Sequence, residues 1–237
     1  MIYAFVPARS GSSRLKDKNI RDLAGIPLIG WTLKAAMESS FIEKVIFSSD
    51  SFEYIEIAKA LVADYKKELL IDVRDSSHAG NKSKIFDYLK GDFLDKFNFE
   101  NNDLVVQLLP SCPLRQSRHI DEAISIANKY ESGVFAACEY DFHVSFAFVP
   151  LEGGNWESLS KDSPMHSGHT QSQNQNKYLH TNGSINCLPI SLLREAHPSI
   201  YYGCRYYLME RKFSIDIDDE SDFEMAALAL REKVDLF

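Results

Sequence analysis

The stretch that decides the fold lies at the start of the chain and reads Ile2-Tyr3-Ala4-Phe5-Val6-Pro7-Ala8-Arg9-Ser10-Gly11-Ser12-Ser13-Arg14-Leu15-Lys16-Asp17-Lys18-Asn19-Ile20-Arg21. Ile2–Val6 is a short, continuous apolar run, as in a strand that is buried on both faces. A loop rich in small and basic residues follows it directly. Ligands of open α/β sheets bind at the carboxyl ends of the strands, so this order predicts a binding loop after the first strand.

The chain continues this alternation of apolar runs with segments of helical spacing. Further strands are predicted at Val45–Ser48, Leu69–Val73, Asp103–Leu109 and Val134–Cys138. Helices are predicted at Leu28–Met37, Phe52–Ala63 and Ile120–Tyr130. Apolar strands between amphipathic helices predict an α/β fold, with a mostly parallel sheet and helices on both faces.

Composition limits the function classes. The 237 residues, 45% of them hydrophobic, suffice for the core of a single domain over 1–237. The net charge of −8 disfavours a general nucleic-acid binder. No apolar run reaches membrane-spanning length, and the first residues do not fit a signal peptide. The four cysteines form no C-x-x-C pair, which predicts reduced thiols in a cytoplasmic protein.

The segment 139–181 interrupts the alternation with a Gly-Gly pair and a polar run at 171–176. We expect an inserted hairpin and loop, which could serve as a lid, a dimerisation arm or a long surface loop. His166 and His169 have the spacing of metal ligands, but on a loop of this composition they are interpreted as solvated.

The loop 9–21 carries five cations against one acid, a local charge of +4. Its Ser-Gly-Ser-Ser turn allows backbone amides to approach a ligand, and arginine and lysine suit polyphosphate oxygens. No Gly-Lys-Ser/Thr follows, and Gly11 alone cannot form a dinucleotide fingerprint. The loop therefore predicts a phosphate site of another type, with a solvated charged loop as the alternative.

A second charged cluster lies near the C-terminus, where residues 213–224 carry six carboxylates. A strand over 213–218 would place Asp216 and Asp218 on one face, roughly 7 Å apart at the backbone. Two such carboxylates can converge on one hard cation, so the pair predicts a magnesium site. Folding is expected to bring this segment to the basic loop.

The later acids of that cluster have a simpler explanation. Ser221 and Glu224 fit a capping box for a helix over 222–230, and acidic residues stabilise a helix start. Asp216 and Asp218 are not explained in this way.

Taken together, these segments resemble the sugar-activating cytidylyltransferases. The matching segments follow the order of that family: Pro7–Asn19, Ser48–Asp50, Leu109–Arg115, Asn182–Ile185 and Ser214–Asp218. The match spans almost the whole chain and is most similar to the CMP-sialic acid synthetase (acylneuraminate cytidylyltransferase) family, with a first loop closer to the CMP-Kdo synthetases. The resemblance implies a Rossmann-like nucleotide-diphospho-sugar transferase fold, a homodimer, and magnesium-dependent transfer of CMP from CTP to an α-keto acid sugar.

The resemblance also implies roles for individual residues. The expected catalytic residues are Arg9, Lys18, Asp216 and Asp218, the two carboxylates being the Mg²⁺ ligands. The expected nucleotide-binding residues are Ala8, Arg9, Ser10, Gly11, Ser12, Arg14, Lys18, Arg74 and Ser111. The expected sugar-binding residues are Gln173, His180, Asn182 and Gly183, with the segment 139–181 adding to the sugar site and the dimer interface. The base is left open between a metal-bound hydroxyl and one of the two carboxylates.

Four positions depart from the family pattern: Ser13, Leu109, Ser172 and His180 stand where lysine, glutamine, arginine and arginine are usual. Three of them lie where the family holds its sugar, so the nucleotide half of the site is better supported than the sugar half. Sialic, legionaminic, pseudaminic and shorter keto acids all stay open as substrates.

Two alternatives to a cytidylyltransferase are compatible with the sequence. Asp216-Ile217-Asp218 could be the D-x-D of a glycosyltransferase, although the basic loop would then have no function. The departures at Ser13, Leu109 and Ser172 could also indicate a non-catalytic nucleotide- or sugar-binding homologue.

Overall fold

A seven-stranded sheet organises the chain in the computed structural model, which describes residues 1–12, 14–75, 84–169, 171, 175–195, 197 and 199–232. From one edge to the other its strands are β11 (Arg205–Leu208), β7 (Val134–Glu139), β10 (Leu179–Pro189), β6 (Leu104–Leu108), β1 (Ile2–Pro7), β4 (Lys44–Ser49) and β5 (Glu68–Val73). β10 is antiparallel to both of its neighbours, and the other pairs are parallel.

Helices cover both faces of this sheet. One face carries α1 (Leu28–Glu38), α2 (Phe52–Leu61), α5 (Ser117–Tyr130) and α8 (Glu220–Arg231). The other carries the shorter α3 (Ile85–Lys90), α4 (Asp92–Lys96) and α7 (Ile190–Arg194). β1 shows how the sequence builds two cores, because side chains alternate along a strand: Ala4 and Val6 enter the first core, Tyr3 and Phe5 the second.

The second core is largely aromatic. The rings of Phe5 and Phe93 pack edge-on with centroids 4.7 Å apart, and those of Tyr3 and Phe99 at 5.1 Å. Aromatic pairs of this geometry stabilise beyond the area that they bury. They fix α4 against the centre of the sheet.

The carboxyl ends of β1, β4, β5 and β6 lie at one edge of the sheet because these strands are parallel. The residues that follow them meet there. β10 runs the other way, so its first residues lie at this same edge. Its register shifts between Thr181 and Asn186, around Gly183 with φ +67°. A left-handed residue is cheapest as glycine, which explains Gly183 at this bulge.

The strands and helices predicted as far as Cys138 are confirmed to within three residues at each end, and so is the fold class. The predicted strand over 213–218 is wrong. Arg211–Phe213 forms a 3-10 turn, and 214–218 is not part of any strand. The physical reason is that this segment is fixed at single points, such as the Ile217 amide donating to the Ser111 carbonyl at 2.8 Å, instead of pairing along a ladder.

The predicted capping box is also wrong in register. The helix begins at Glu220, with Asp219 as N-cap accepting from the Asp222 amide at 3.1 Å. The Asp222 carboxylate in turn accepts from the amides of Asp218 and Asp219. Aspartate caps a helix as well as serine does, and this register buries Phe223 and Ala226.

Two small hairpins stand apart from the main sheet. β2 (Asp22–Leu23) pairs with β3 (Ile26–Pro27) after the basic loop, and β8 (Phe148–Pro150) pairs with β9 (Trp156–Ser158) within 139–181. The short α6 (Pro164–Ser167) follows the second hairpin. Within the described ranges, no helix has the length and apolar character needed to cross a bilayer.

Candidate active site

The loop after β1 is held by the protein at several points. The Ala8 amide donates to the Ser48 carbonyl at 2.8 Å, which fixes the exit of β1 against β4. Asn19 donates its side-chain amide to the Arg9 carbonyl at 2.9 Å and closes the loop on itself. Ala8 is fully buried, and its amide is already bound to Ser48, so the structure gives it a supporting place in the loop.

Asp50, at the end of β4, fixes the first turn of this loop. Its two carboxylate oxygens accept from the amide and the hydroxyl of Ser10, at 2.8 and 2.7 Å. Partial burial acts to raise the pKa of Asp50, but the Ser10 hydrogen bonds outweigh it and the pKa lies below its usual value. Gly11 follows with φ +70°, a conformation that glycine adopts without strain.

The basic loop and the acidic segment are in contact, as expected. Arg14 forms an ion pair with Asp218 at 2.7 Å, and the Lys18 ammonium donates to the carbonyl of Ile217, 199 positions along the chain. Burial lowers the pKa of Lys18, against the opposing effect of the nearby carboxylates of Asp216 and Asp218. Cations and carboxylates therefore share one edge of the sheet.

Ile217 is the fixed point of the acidic segment. Its side chain is fully buried, its amide donates to Ser111 and its carbonyl accepts from Lys18. Asp216 and Asp218 flank this residue, and both side chains keep exposed surface. The segment thus presents two carboxylates from a backbone that cannot shift freely.

A cleft of about 190 Å³ opens between these groups. Six of the residues predicted to bind nucleotide or metal line it: Arg9, Ser12, Arg14, Lys18, Ser111 and Asp218. Pro7, Asn19, Leu109 and Pro110 complete the wall. Ala8, Ser10 and Gly11 belong to the same loop but do not line the cleft. The site roles of these residues stay predictions.

Arg74 lies at the same edge, after β5. Its amide donates to the Ser49 carbonyl at 2.9 Å, and its side chain is 4% exposed. Burial lowers the pKa of Arg74, while Asp50 and Asp72 act in the opposite direction. Its Nε has no hydrogen-bond partner among the described residues. Asp50 therefore faces both Ser10 and this buried guanidinium.

The predicted sugar-binding residues are engaged within the protein. Asn182 is buried, donates to the Ser214 hydroxyl at 2.9 Å and accepts from the Ser184 amide at 3.1 Å. His180 lies 3.2 Å from the Cys138 sulfur, and its ring packs on Tyr140. Their roles stay predictions.

Gly183 adjoins the stretch 109–111, because a Cβ at Gly183 would lie 3.5 Å from the Leu109 side chain. Gln173, like Ser13 and Ser172, lies outside the described residues. The sugar half of the site is therefore described only in part.

Asp218 lines the cleft, whereas Asp216 does not, and the Asp216 Oδ1 lies 3.9 Å from the Cys112 sulfur. A carboxylate beside cations fits a cation that is shared with phosphates. Mg²⁺ in phosphoryl-transfer sites takes one or two carboxylates and completes its shell with phosphate oxygens and water. Among the described residues, no group of three or more His, Cys, Asp or Glu side chains is arranged to hold a metal ion. This donor set suits a metal–nucleotide complex better than a free ion.

Cys112 stands beside this site and is not suited to act as a nucleophile. Its side chain is fully buried, and burial raises the pKa of the thiol to about 12. The protonated thiol instead donates to the Asn182 carbonyl at 3.5 Å.

A larger cavity of about 440 Å³ lies elsewhere, between α1, the residues leading into α5, and α8. None of the predicted catalytic, nucleotide-binding, sugar-binding or metal-binding residues lines it, although Pro113, Leu114 and Arg115 of the matching segment do. The smaller cleft is the better candidate because cations, carboxylates and strand ends converge there.

Three residues that shape the site have no role in the sequence prediction: Asn19, Asp50 and Arg115. Each lies in a segment that matches the family pattern, and the position of Asp50 at a strand end is a usable signal. Nothing in the sequence shows that Arg115 turns into the core.

Comparisons with known proteins extend these observations. A protein-family model described as cytidylyltransferase matches residues 3–149. The N-acylneuraminate cytidylyltransferase of Escherichia coli O18:K1:H7 is 32% identical over 246 residues, which cover 100% of this chain and 54% of that protein. The CMP-N,N'-diacetyllegionaminic acid synthase of Legionella pneumophila is 35% identical over 133 residues, 53% of this chain and 52% of that protein. The chain spans about half the length of these curated relatives.

A solved structure of CMP:2-keto-3-deoxy-manno-octonic acid synthetase complexed with CTP has the same fold. It superimposes with a TM-score of 0.67 at 13% identity, covering 98% of this chain and 99% of that one. At this identity the likeness concerns the fold alone, and it confirms the predicted fold of nucleotide-diphospho-sugar transferase type.

Proposed function

The chain belongs to the cytidylyltransferase family, and from this premise we propose that it joins the CMP part of CTP to an α-keto acid sugar and releases pyrophosphate. One observation carries the proposal: the basic loop and the acidic segment meet through Arg14 with Asp218 and Lys18 with Ile217. This contact brings cationic side chains beside carboxylates, which supports the binding of phosphates and a metal there. Two relatives are named for the nonulosonic acids sialic and legionaminic acid, which supports this sugar class.

The cleft is suited to the triphosphate of CTP. Arg9, Ser12 and Lys18 line it and would hold phosphate oxygens through charge-assisted hydrogen bonds. The Arg14–Asp218 pair crosses the same cleft with both side chains about half exposed, at 67% and 48%. An exposed pair contributes little stability. Arg14 can therefore exchange its carboxylate partner for a phosphate when the nucleotide enters.

The reaction requires an in-line displacement at phosphorus. The anomeric hydroxyl oxygen of the sugar attacks the α-phosphorus, and the bond from this phosphorus to the bridging oxygen breaks as pyrophosphate leaves. As the new bond forms, the hydroxyl proton is released to solvent water. Arg9 and Lys18 would face the charge that develops on the leaving group, so positioning and electrostatics supply the rate.

Asp216 and Asp218 would hold Mg²⁺ together with the phosphates. When bound, the ion would neutralise phosphate charge and hold the nucleotide in the reactive orientation. The protein contributes the rigid backbone at Ile217, which fixes the spacing of the two carboxylates.

The segment 139–181 is proposed to mediate a homodimer. Its described part exposes a set of large apolar side chains, at 41 to 70% of their surface: Tyr140, Phe142, Phe148, Val149, Leu151, Trp156 and Leu159. Exposed apolar patches of this kind mark interaction surfaces. Light scattering tests this: Phe142→Glu with Leu159→Glu should give a monomer, whereas Leu228→Glu, equally exposed on α8, should not.

Pyrophosphate release tests the proposed function. The full chain is incubated with CTP, Mg²⁺ and, in turn, a panel of sialic, legionaminic, pseudaminic and shorter keto acids. We expect release that needs CTP, one of the sugars and the metal, and that stops on adding EDTA. Tight CTP binding without release for any sugar would instead support a non-catalytic binding protein. In a parallel incubation with a supplied CMP-sugar, its hydrolysis, together with no pyrophosphate release from CTP, would support a glycosyltransferase.

A further inference from the structure

We propose that Arg115 is a positioning residue that fixes the stretch 109–111 and the start of β10 to each other. One buried cation thereby sets the geometry of both proposed substrate sites. The inference rests on the proposed function in one respect, namely that these two segments serve CTP and the sugar. Arg115 itself does not line the cleft.

The guanidinium of Arg115 joins three elements. Nη1 donates to the Ser184 carbonyl on β10 at 2.6 Å and to the Leu109 carbonyl after β6 at 3.3 Å. Nη2 donates to the Thr32 hydroxyl on α1 at 2.7 Å. The side chain is 2% exposed. One planar group therefore binds two site segments and anchors them to a helix beneath the sheet.

Burying the Arg115 guanidinium in this way lowers the stability of the fold. Among the described residues, no carboxylate forms an ion pair with Arg115, and its acceptors are carbonyl and hydroxyl oxygens. Burial lowers the pKa of this guanidinium to about 10, and its Nε has no hydrogen-bond partner among those residues. Burying an unpaired cation is expensive, and an apolar side chain of similar length would fill the space more cheaply.

The two segments that Arg115 holds lead directly to the site. Leu109 begins the stretch that ends at Ser111, whose carbonyl holds the amide of Ile217 between the two metal-site carboxylates. Ser184 follows Asn182 and Gly183 and donates its amide to the Asn182 side chain.

The segments also touch each other. The Cys112 thiol donates to the Asn182 carbonyl, and the Leu109 side chain lies against Gly183. A displaced guanidinium therefore moves both segments, whereas the loss of a single cleft residue would affect one substrate.

Four variants of the full chain test this. Arg115→Met removes all the contacts, and Thr32→Val removes the anchor without touching either segment. Thr32→Ser restores the hydroxyl, and Arg118→Met is the matched control, an exposed arginine three positions away. Calorimetry gives the Kd for CTP, pyrophosphate release gives KM for the sugar and kcat, and hydrogen exchange reports on the peptides 109–112 and 182–185.

We expect Arg115→Met to raise the Kd for CTP and the KM for the sugar together, each by about tenfold, as for the loss of hydrogen bonds to a charged group. Thr32→Val should raise the Kd for CTP and the KM for the sugar by a smaller factor that is similar for the two constants. Thr32→Ser, which keeps the hydroxyl, and Arg118→Met should both match the wild type. Exchange should accelerate in both peptides at once and not in β1.

The opposite results overturn the inference. One such result is that folded Arg115→Met and Thr32→Val proteins keep the wild-type Kd for CTP and KM for the sugar. Another is that only one of these two constants changes. A third is that hydrogen exchange stays unchanged in both peptides. If Arg115→Met does not fold, the Thr32 pair decides. The exchange experiment needs no substrate, so a wild-type chain that fails to turn over any sugar refutes the proposed function without deciding the role of Arg115.

Discussion

The two halves of the candidate site, which we propose to hold the nucleotide and the sugar, are built differently. The nucleotide half directs several charged side chains into an open cleft. It consists of the loop 8–21, Asp50, the stretch 109–111 and the segment 214–218. In the half proposed to hold the sugar, which includes the start of β10, two of the predicted residues already have partners within the protein. Asn182 is bound to Ser214, and His180 lies against Cys138.

This difference indicates how each half is ready for its ligand. In the nucleotide half, cations already lie beside carboxylates, and a phosphate needs only to replace exposed partners such as Asp218 on Arg14. In the sugar half, a ligand must compete with buried hydrogen bonds, which cost more to break. The two halves should therefore respond differently to mutation.

The largest effect is expected at the metal-site carboxylates. Asp216→Asn and Asp218→Asn should each lower the metal-dependent kcat by about a thousandfold, because a charge that faces the reacting phosphates is lost. Steady-state pyrophosphate release measures this. Glu224→Gln, on the exposed side of α8, is the control and should leave kcat unchanged. Wild-type rates in both aspartate variants would show that the nucleotide half does not hold the metal.

Lys18 offers a matched comparison within one loop. Lys18→Met should lower kcat/KM for CTP by about a hundredfold, since a half-buried cation in the cleft is lost together with its hold on Ile217. Lys16→Met, an exposed lysine two positions away, should have no more than a small effect. Equal losses in the two variants would mean that general charge attracts CTP, without a specific site.

His119 lies beneath the nucleotide half and should make the stability of the fold depend on pH. It is fully buried against Phe213, from which the acidic segment starts, and its Nδ1 accepts from the Gln116 amide at 3.1 Å. Burial, aided by Arg118, lowers the pKa of His119 to about 4. Between about pH 6.5 and pH 4 the unfolded chain therefore binds a proton that the folded chain does not.

The free energy of unfolding should accordingly fall as the pH falls through this range, by roughly 3 kcal/mol. Urea titrations at a series of pH values measure the slope. His119→Gln should flatten it, while His143→Gln, in the segment 139–181, should not. An unchanged slope in His119→Gln would remove this residue from the acid response.

The smallest effect is expected in the sugar half. His180→Ala should raise the KM for the sugar by about threefold to tenfold and leave the Kd for CTP unchanged, because its contacts lie with Cys138 and Tyr140, away from the cleft. Calorimetry with CTP and kinetics with the sugar separate the two constants. An equal loss of affinity for CTP would show that His180 also contributes to the nucleotide half.

The sequence was most informative where a local pattern carries the structure. Strands such as Ile2–Pro7 are continuous apolar runs, and helices such as Leu28–Glu38 have clear spacing, so both were predicted closely. The segment 213–218 misled because alternating isoleucine and aspartate also fits a strand. Its real conformation depends on Ser111 and Lys18, which are distant in sequence.

The sequence alone therefore determined the α/β class, the basic loop and the acidic pair, because hydrophobic period and charge clustering are local properties. Tertiary structure alone decided that Ile217 is pinned between Ser111 and Lys18, that Asp50 holds Ser10, and that Arg115 turns inward to Leu109 and Ser184. Apart from the contact of Arg115 with Leu109, each of these contacts joins residues that are far apart in the chain. Only the packing of a parallel sheet, with one antiparallel strand inserted, brings their ends to one edge.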